Sequence, residues 1–214
     1  WGSAVGARST GAGGDPNWGS TTFGGTGRDW AIGVAVDGSG NVYTTGYFTG
    51  TVDFGAGDVT SAGSLDVFVT KLNSAGAHQW TTTFGGTGED RSEGVAVDGS
   101  GNVYTTGYFT GTVNFGAGNV TSAAGYDTFV TKLNSAGAHQ WTTTLGGTDK
   151  DYGRGQAAVS CTHLPPTGQF NGTVNFGAGN VTSNGHKDFF VTKLNSAGAQ
   201  QWPTTFGGTG DERG

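Results

Sequence analysis

The chain carries little charge, a single cysteine, few prolines and no long hydrophobic run, and each shortage removes a class of protein. Charged residues make up only 12% of the 214 residues, and aromatics another 12%. A disordered chain is charged and poor in aromatics, so the low hydrophobic share of 33% is not a mark of disorder. Cys161 stands alone, so no internal disulfide can form. No apolar run approaches the roughly 20 residues that span a bilayer as a helix. Sixteen acidic residues against 10 basic ones give a net charge of −6 and a pI near 4.9. That balance argues against a nucleic-acid partner, because phosphate binding needs a basic face. No signal peptide is read in the opening WGSAVGARSTGAGG, which fits a processed mature terminus or an excised boundary.

What the chain has in abundance is glycine, 44 residues without the Gly-X-Y period of collagen. Glycine, threonine, serine and asparagine punctuate short β-branched and aromatic runs, the pattern of an all-β protein with many tight turns. The runs repeat. Phe23, Phe84, Leu145 and Phe206 head successive GG segments 61 residues apart, and Asp66, Asp127 and Asp188 each open a D-x-F-V-T-K-L-N-S-A-G segment at the same spacing. Trp80, Trp141 and Trp202 keep the period, while Trp18 is displaced by one residue. Such self-similarity makes the repeat the unit of architecture.

Alternation and turn chemistry predict four strands per repeat: Glu93 to Asp98, Asn102 to Phe109, Asp127 to Leu133 and Gln140 to Gly147. DGSG and NSAG are the tight turns. TGTVNFGAGNVTSAAGY, between the second and third strands, is expected to form a small protruding hairpin. The third copy departs from this plan. QAAVSCTHLPPT replaces VAVDGSGNVYTT at equal length, a window such as a frameshift out and back would give. Pro165 and Pro166 remove two backbone donors where a strand is expected, a place proline tolerates only at edges or bulges. Cys161 and His163 there could form a metal or redox pair, but two ligands do not close a metal site.

Four antiparallel strands in a repeat too small to bury a core alone describe a β-propeller blade. The pattern GGxGxD…GxAVDxxGNVYxTGxF…DxFVxKLxxxG, carried here by Gly85, Gly86, Asp90, Val95 to Asp98, Gly101 to Tyr104, Gly107, Phe109 and Asp127 to Leu133, resembles the bacterial SBBP β-propeller repeat family. The expected fold is therefore all-β, a propeller of four-stranded antiparallel blades, about three per chain, with the ring closed by a second chain. The expected segments are an N-terminal arm (1–17), a leading outer strand and link (18–29), and blades over 30–90, 91–151 and 152–214.

In such a blade the DGSG and NSAG turns share one face, and the long loops and the links GGTGRDW, GGTGEDRSE and GGTDKDYGR share the other. Charge and variation gather on the second face, where a rigid scaffold presents binding loops. Asp29, Asp90 and Asp151 recur there in phase, with Glu212 at the fourth equivalent position. They read either as ligands ringing a Ca²⁺ ion or as caps of their own turns. Asp37 and Asp98, in DGSGN, lack the later bidentate glutamate of an EF-hand. The in-phase pairs Asp66/Lys71, Asp127/Lys132 and Asp188/Lys193, and the copied His78 and His139, read as scaffold, because an active site is built from residues that break a repeat. No nucleophile set can be assembled, so no enzyme is expected.

The aromatics give the stronger lead. Trp30, Tyr47, Tyr108, Tyr126 and Tyr152, with Asp29, Asp90, Arg91, Asp151, Asn119 and Asn180, mix rings with polar groups as sugar sites do. Phe54, Phe115 and Phe176 read either as part of that surface or as fillers between blades. Asn119, Asn171 and Asn180 also lie in N-x-T sequons. The resulting expectation is a non-catalytic, lectin-like binding module with repeated weak sites for a carbohydrate or surface glycoconjugate, extracellular or on a cell surface. The alternative is a structural or adhesive envelope protein.

Overall fold

Runs of threonine, valine and aromatics, each closed within about seven residues by glycine, asparagine or serine, are too short and too β-branched for helices and pair as strands instead. The computed structural model describes residues 20–156, 165–177 and 179–210, and among them every regular element is a strand. The first sheet is the antiparallel meander β2 (Asp29–Val36), β3 (Val42–Phe48), β6 (Asp66–Leu72) and β7 (His78–Phe84). A small three-stranded sheet, β1 (Gly24–Gly25), β4 (Thr51–Asp53) and β5 (Asp58–Thr60), sits beside it. The second meander is β8 (Arg91–Val97), β9 (Val103–Asn114), β10 (Asn119–Leu133) and β11 (His139–Leu145). The third is β12 (Tyr152–Gln156), β13 (Pro166–Asn175), β14 (Asn180–Leu194) and β15 (Gln200–Phe206).

The four expected strands per repeat are all present, with the second and third longer than their sequence pattern. β9 and β10 run on past Phe109 and back from Asn119, so that Val113 pairs with Val120 and Asn114 with Asn119. The protruding hairpin is thus an extension of the sheet. In the first sheet the same hairpin is the separate pair β4–β5.

The turns on one face are tied by side chains. Asp98 accepts from the backbone N–H of Ser100 and Asn102, from Asn102 Nδ2 and from the Tyr104 hydroxyl, all at 2.9 Å, and Asp37 repeats the arrangement. The carboxylates of Asp37 and Asp98 are therefore turn locks. Asn73 and Asn134 do the same for the NSAG turns by accepting two backbone N–H groups each.

Successive sheets stack. The first strand of each following sheet packs on the first two strands of the one before, β8 on β2 and β3 and β12 on β8 and β9. Every residue of β9 from Val103 to Phe109 is buried, because a sheet covered on both faces hides both sets of side chains. Phe84 leaves the first sheet and enters the aromatic cluster of the second, 5.6 Å from Phe115 and 6.2 Å from Phe129 between ring centres. Leu145 does the same among Phe170, Phe176 and Phe190 of the third, and Phe23 among Phe48, Phe54 and Phe68 of the first. Phe54, Phe115 and Phe176 are all buried within these clusters, which makes them core and removes them from any binding surface.

The two ends of the stack lack such neighbours. Val34, Val36, Trp202 and Phe206 are 69%, 60%, 45% and 47% exposed, whereas Val95, Phe84 and Leu145, one or two repeats away, are 9%, 4% and 3% exposed. In the third sheet, β13 begins at Pro166, the strand position where a missing N–H is tolerated. Cys161 and His163, the N-terminal arm with Trp18, and Glu212 lie outside the described residues.

Candidate functional site

The three in-phase link aspartates do not surround a common point. Asp29 accepts the Gly25 N–H at 2.8 Å, Asp90 the Gly86 N–H at 2.8 Å, and Asp151 the Gly147 N–H at 2.9 Å. Asp90 also accepts from Thr110 N and Asp151 from Asn171 N, both at 3.2 Å. Each carboxylate caps its own link, and those of Asp90 and Asp151 also tie it to the second strand of their own sheet, which is the cap role rather than the Ca²⁺ ring. Among the described residues no three His, Cys, Asp or Glu side chains cluster as metal ligands. Burial pushes the carboxyls of Asp90 and Asp151 up to about 7, against the backbone hydrogen bonds that favour the charged form.

The copied Asp–Lys pairs also separate. Asp127 accepts the Ala123 N–H at 2.9 Å, and Lys132 lies 5.4 Å above the Tyr104 ring. His78 and His139 bond Thr81 and Thr142, each at 2.9 Å. The lysine and histidine contacts recur in the first two sheets and the aspartate cap in all three, so these residues belong to the scaffold.

Residues that differ between repeats gather elsewhere, in a ribbon across all three sheets at the link ends of the first strands. Trp30, 56% exposed, stacks on Tyr47 at 5.9 Å with a 20° interplanar angle. The guanidinium of Arg91 lies 4.9 Å from the Tyr47 ring and 6.0 Å from that of Tyr108. Tyr108, Tyr126 and Tyr152 form a triangle with centroid separations of 5.0 to 5.6 Å. Arg154 lies over Tyr108 at 5.9 Å and Tyr152 at 5.1 Å, Lys150 over Tyr126 at 5.4 Å, and Lys187 over Tyr152 at 5.1 Å.

Two carboxylates run through the ribbon. Glu89 pairs with Arg91 at 3.2 Å and accepts from the Tyr126 hydroxyl at 2.9 Å; Glu93 faces Arg154 at 3.8 Å. Burial raises the Glu93 carboxyl, with Arg154 and Arg91 opposing. Burial also pushes the Tyr108 phenol up to about 12 and, joined by Glu89, raises Tyr126. Tyr108 and Tyr126 therefore stay neutral at physiological pH.

The structure brings together Trp30, Arg91, Tyr126 and Tyr152 of the expected site, with Asp90 and Asp151 buried at the base of the same links. It sets Asn119 and Asn180 apart, on the exposed hairpins, whose tips turn toward the fourth strands: a Cβ on Gly116 would meet that of His139 at 2.7 Å. Tyr47 and Tyr108 were among the aromatics read there from the sequence, whereas Glu89, Glu93, Lys150, Arg154 and Lys187 were not singled out by it as site residues. Their signal is disagreement between otherwise copied positions, as in Arg28, Glu89 and Lys150, or Ile32, Glu93 and Arg154. Beside the ribbon, a cleft of about 500 Å³ opens on the link face, lined by Thr26, Arg28, Thr49, Ser64, Leu65 and Glu89.

Among the described residues no helix is long and apolar enough to cross a membrane. No curated protein matches the chain. Residues 79–112, which run from β7 through the link and β8 into β9, match the family model for SBBP, a beta-propeller repeat, and the sheets before and after that segment carry the same strand order one period away.

Proposed function

We propose that the chain is a non-catalytic, lectin-like β-propeller binding module, secreted or displayed on a cell surface, that takes carbohydrate on its link face. The observation that carries this reading is Trp30, more than half exposed and stacked on Tyr47 at the link end of its strand, on the face where the polar cleft of Thr26, Thr49 and Ser64 also opens. A fixed ring packs against sugar C–H groups, while hydroxyls such as those of Thr26, Thr49 and Ser64 bond the sugar's own. The cleft volume lies in the range of small-ligand sites. Related surfaces on the other blades would add weak contacts whose sum exceeds any one of them. An array of immobilised glycans, probed with and without chelator, tests the reading. Sugar-inhibitable binding abolished by Trp30→Ala supports it, and a blank array with folded protein removes it.

The second reading, a structural or adhesive envelope protein, is favoured by the apolar ends of the stack. Val34 and Val36 at one end and Trp202 and Phe206 at the other are the two halves of the interface that joins neighbouring sheets inside the chain. A second copy arranged head to tail would cover both and close a ring, a heterologous contact of the kind that closes only at the right rotation. Native mass spectrometry separates a closed dimer from a monomer or a ladder of oligomers.

A further inference from the structure

We infer that the tyrosine–cation ribbon between the second and third sheets is a binding site for an anionic sugar, one bearing carboxylate or sulfate groups. The inference rests on the carbohydrate reading above and adds to the Trp30 surface a second, non-repeated place with its own ligand class. The charge distribution carries it. The whole chain is acidic and has only 10 Lys and Arg residues, yet Arg91, Lys150, Arg154 and Lys187 converge on three touching tyrosine rings. Glu89 and Glu93 offset two of these charges. Among the described residues neither Lys150 nor Lys187 has a carboxylate within ion-pair distance.

Arg91 and Arg154 share the Tyr108 ring, and Glu93 faces both of them while Glu89 pairs with Arg91, so among the described residues the charges left without a carboxylate at ion-pair distance are those of Lys150 and Lys187. Ring contacts stabilise these two ammonium groups only in part, and an anion can supply the rest. Arg154 keeps 39% of its side chain exposed, and Lys150 is exposed, so both can reach a ligand. An arginine fork matches a carboxylate or a sulfate with paired N–H donors, and the lysines add point charges. The tyrosine rings provide the adjoining apolar faces that a pyranose needs.

The positions also argue for recognition over scaffold. The residues one repeat before Lys150, Arg154 and Lys187 are Glu89, Glu93 and Tyr126, and one repeat before those stand Arg28, Ile32 and Leu65. A chain that copies its core and turns so faithfully has placed different charges at each of these points. The anionic site therefore belongs to one blade junction, and the equivalent place between the first two sheets is not its duplicate.

The test is titration calorimetry with tetragalacturonate, its uncharged methyl ester, and a sulfated oligosaccharide of similar length. The proteins are the wild type, a Lys150→Gln/Arg154→Gln variant, and Lys132→Gln as a control that removes a cation from another tyrosine. Loss of one charge-assisted contact weakens binding by about tenfold or more. The expected result is that a charged oligosaccharide binds more tightly than the ester, that the double variant loses at least this factor while circular dichroism shows it folded, and that Lys132→Gln does not. A sulfated ligand binding better than the uronate assigns the site to sulfate within the same class. Equal binding of ester and uronate, or a double variant that binds like wild type, overturns the anionic site while leaving the carbohydrate reading in place. No binding of any sugar removes both.

Discussion

The indole N–H of Trp80 donates to the carbonyl of Ser135 at 3.1 Å, and Trp141 makes the same bond to Ser196, one repeat further on, at 2.9 Å. Each fourth strand is thereby fixed to the NSAG turn of the next sheet, with Thr82 and Thr143 adding bonds to the carbonyls of Gly137 and Gly198. The Trp80 ring lies over Gly137, where a Cβ would come within 2.7 Å of the indole and φ is +80°. Gly137→Ala combines left-handed backbone strain with a clash, and is expected to cost about 1–3 kcal/mol. Gly99→Ala meets nothing within 4 Å and is expected to be near neutral. Urea denaturation of the two variants checks the pair; equal midpoints would remove the turn from the list of interfaces.

Phe84 and Phe206 occupy the same place in the repeat, but one is buried in the next sheet and the other faces solvent. In dilute solution, where the chain is alone, Phe84→Ala should destabilise by about 3–5 kcal/mol and Phe206→Ala, which loses only its stack on Phe189, by about 1 kcal/mol. If a second copy covers Phe206, the second variant should instead lower the native mass, and the two measurements together decide which state the protein occupies.

Stability should rise on mild acidification. Burial lifts the carboxyls of Asp90 and Asp151 to about 7, whereas an unfolded aspartate titrates near 3.9. Between these values the folded protein holds protons that the unfolded chain has released, so stability falls as pH rises through that window and levels off above it. Asp37 acts with opposite sign. Burial opposes its charge, but the bonds from Asn41, Tyr43 and Ser39 win and hold it at about 2, so its contribution is lost as pH falls below the unfolded value. Tm is expected to climb from pH 8 to pH 5, and the Asp90→Asn/Asp151→Asn variant to flatten the climb. A wild-type Tm that is level or falls over that range would count against buried, protonated link aspartates.

The Asp98 lock predicts a local cost. Replacing Asp98 with alanine strands the Tyr104 hydroxyl, the Asn102 amide and two backbone N–H groups. The expected loss is about 2–4 kcal/mol by chemical denaturation. Asp98→Asn, which can still accept, should recover part of it. An Asp98→Ala protein as stable as the wild type would show that water replaces the carboxylate without penalty.

The repeat made the architecture legible. A 61-residue period with four β-rich runs and two tight turns allows little besides a stack of four-stranded sheets, because turn chemistry is local and glycine, asparagine and aspartate act within four residues of themselves. Asp98, Asn134 and the hairpin ending at Asn114 and Asn119 were all readable for that reason. Three matters were decided only by the tertiary structure. The second strand is buried on both faces, so alternation could not separate its core side from its neighbour-facing side, and Phe115 could be read as surface until its contacts with Phe84 and Phe129 were seen. The link aspartates were equally open, because one carboxylate per blade suits a shared ion or a private cap, and only the positions of the Gly86 and Gly147 N–H groups choose the cap. The ribbon of Arg91, Tyr108, Tyr126, Tyr152 and Arg154 unites side chains up to 63 residues apart. No local rule brings them together; the packing of one first strand against the next does.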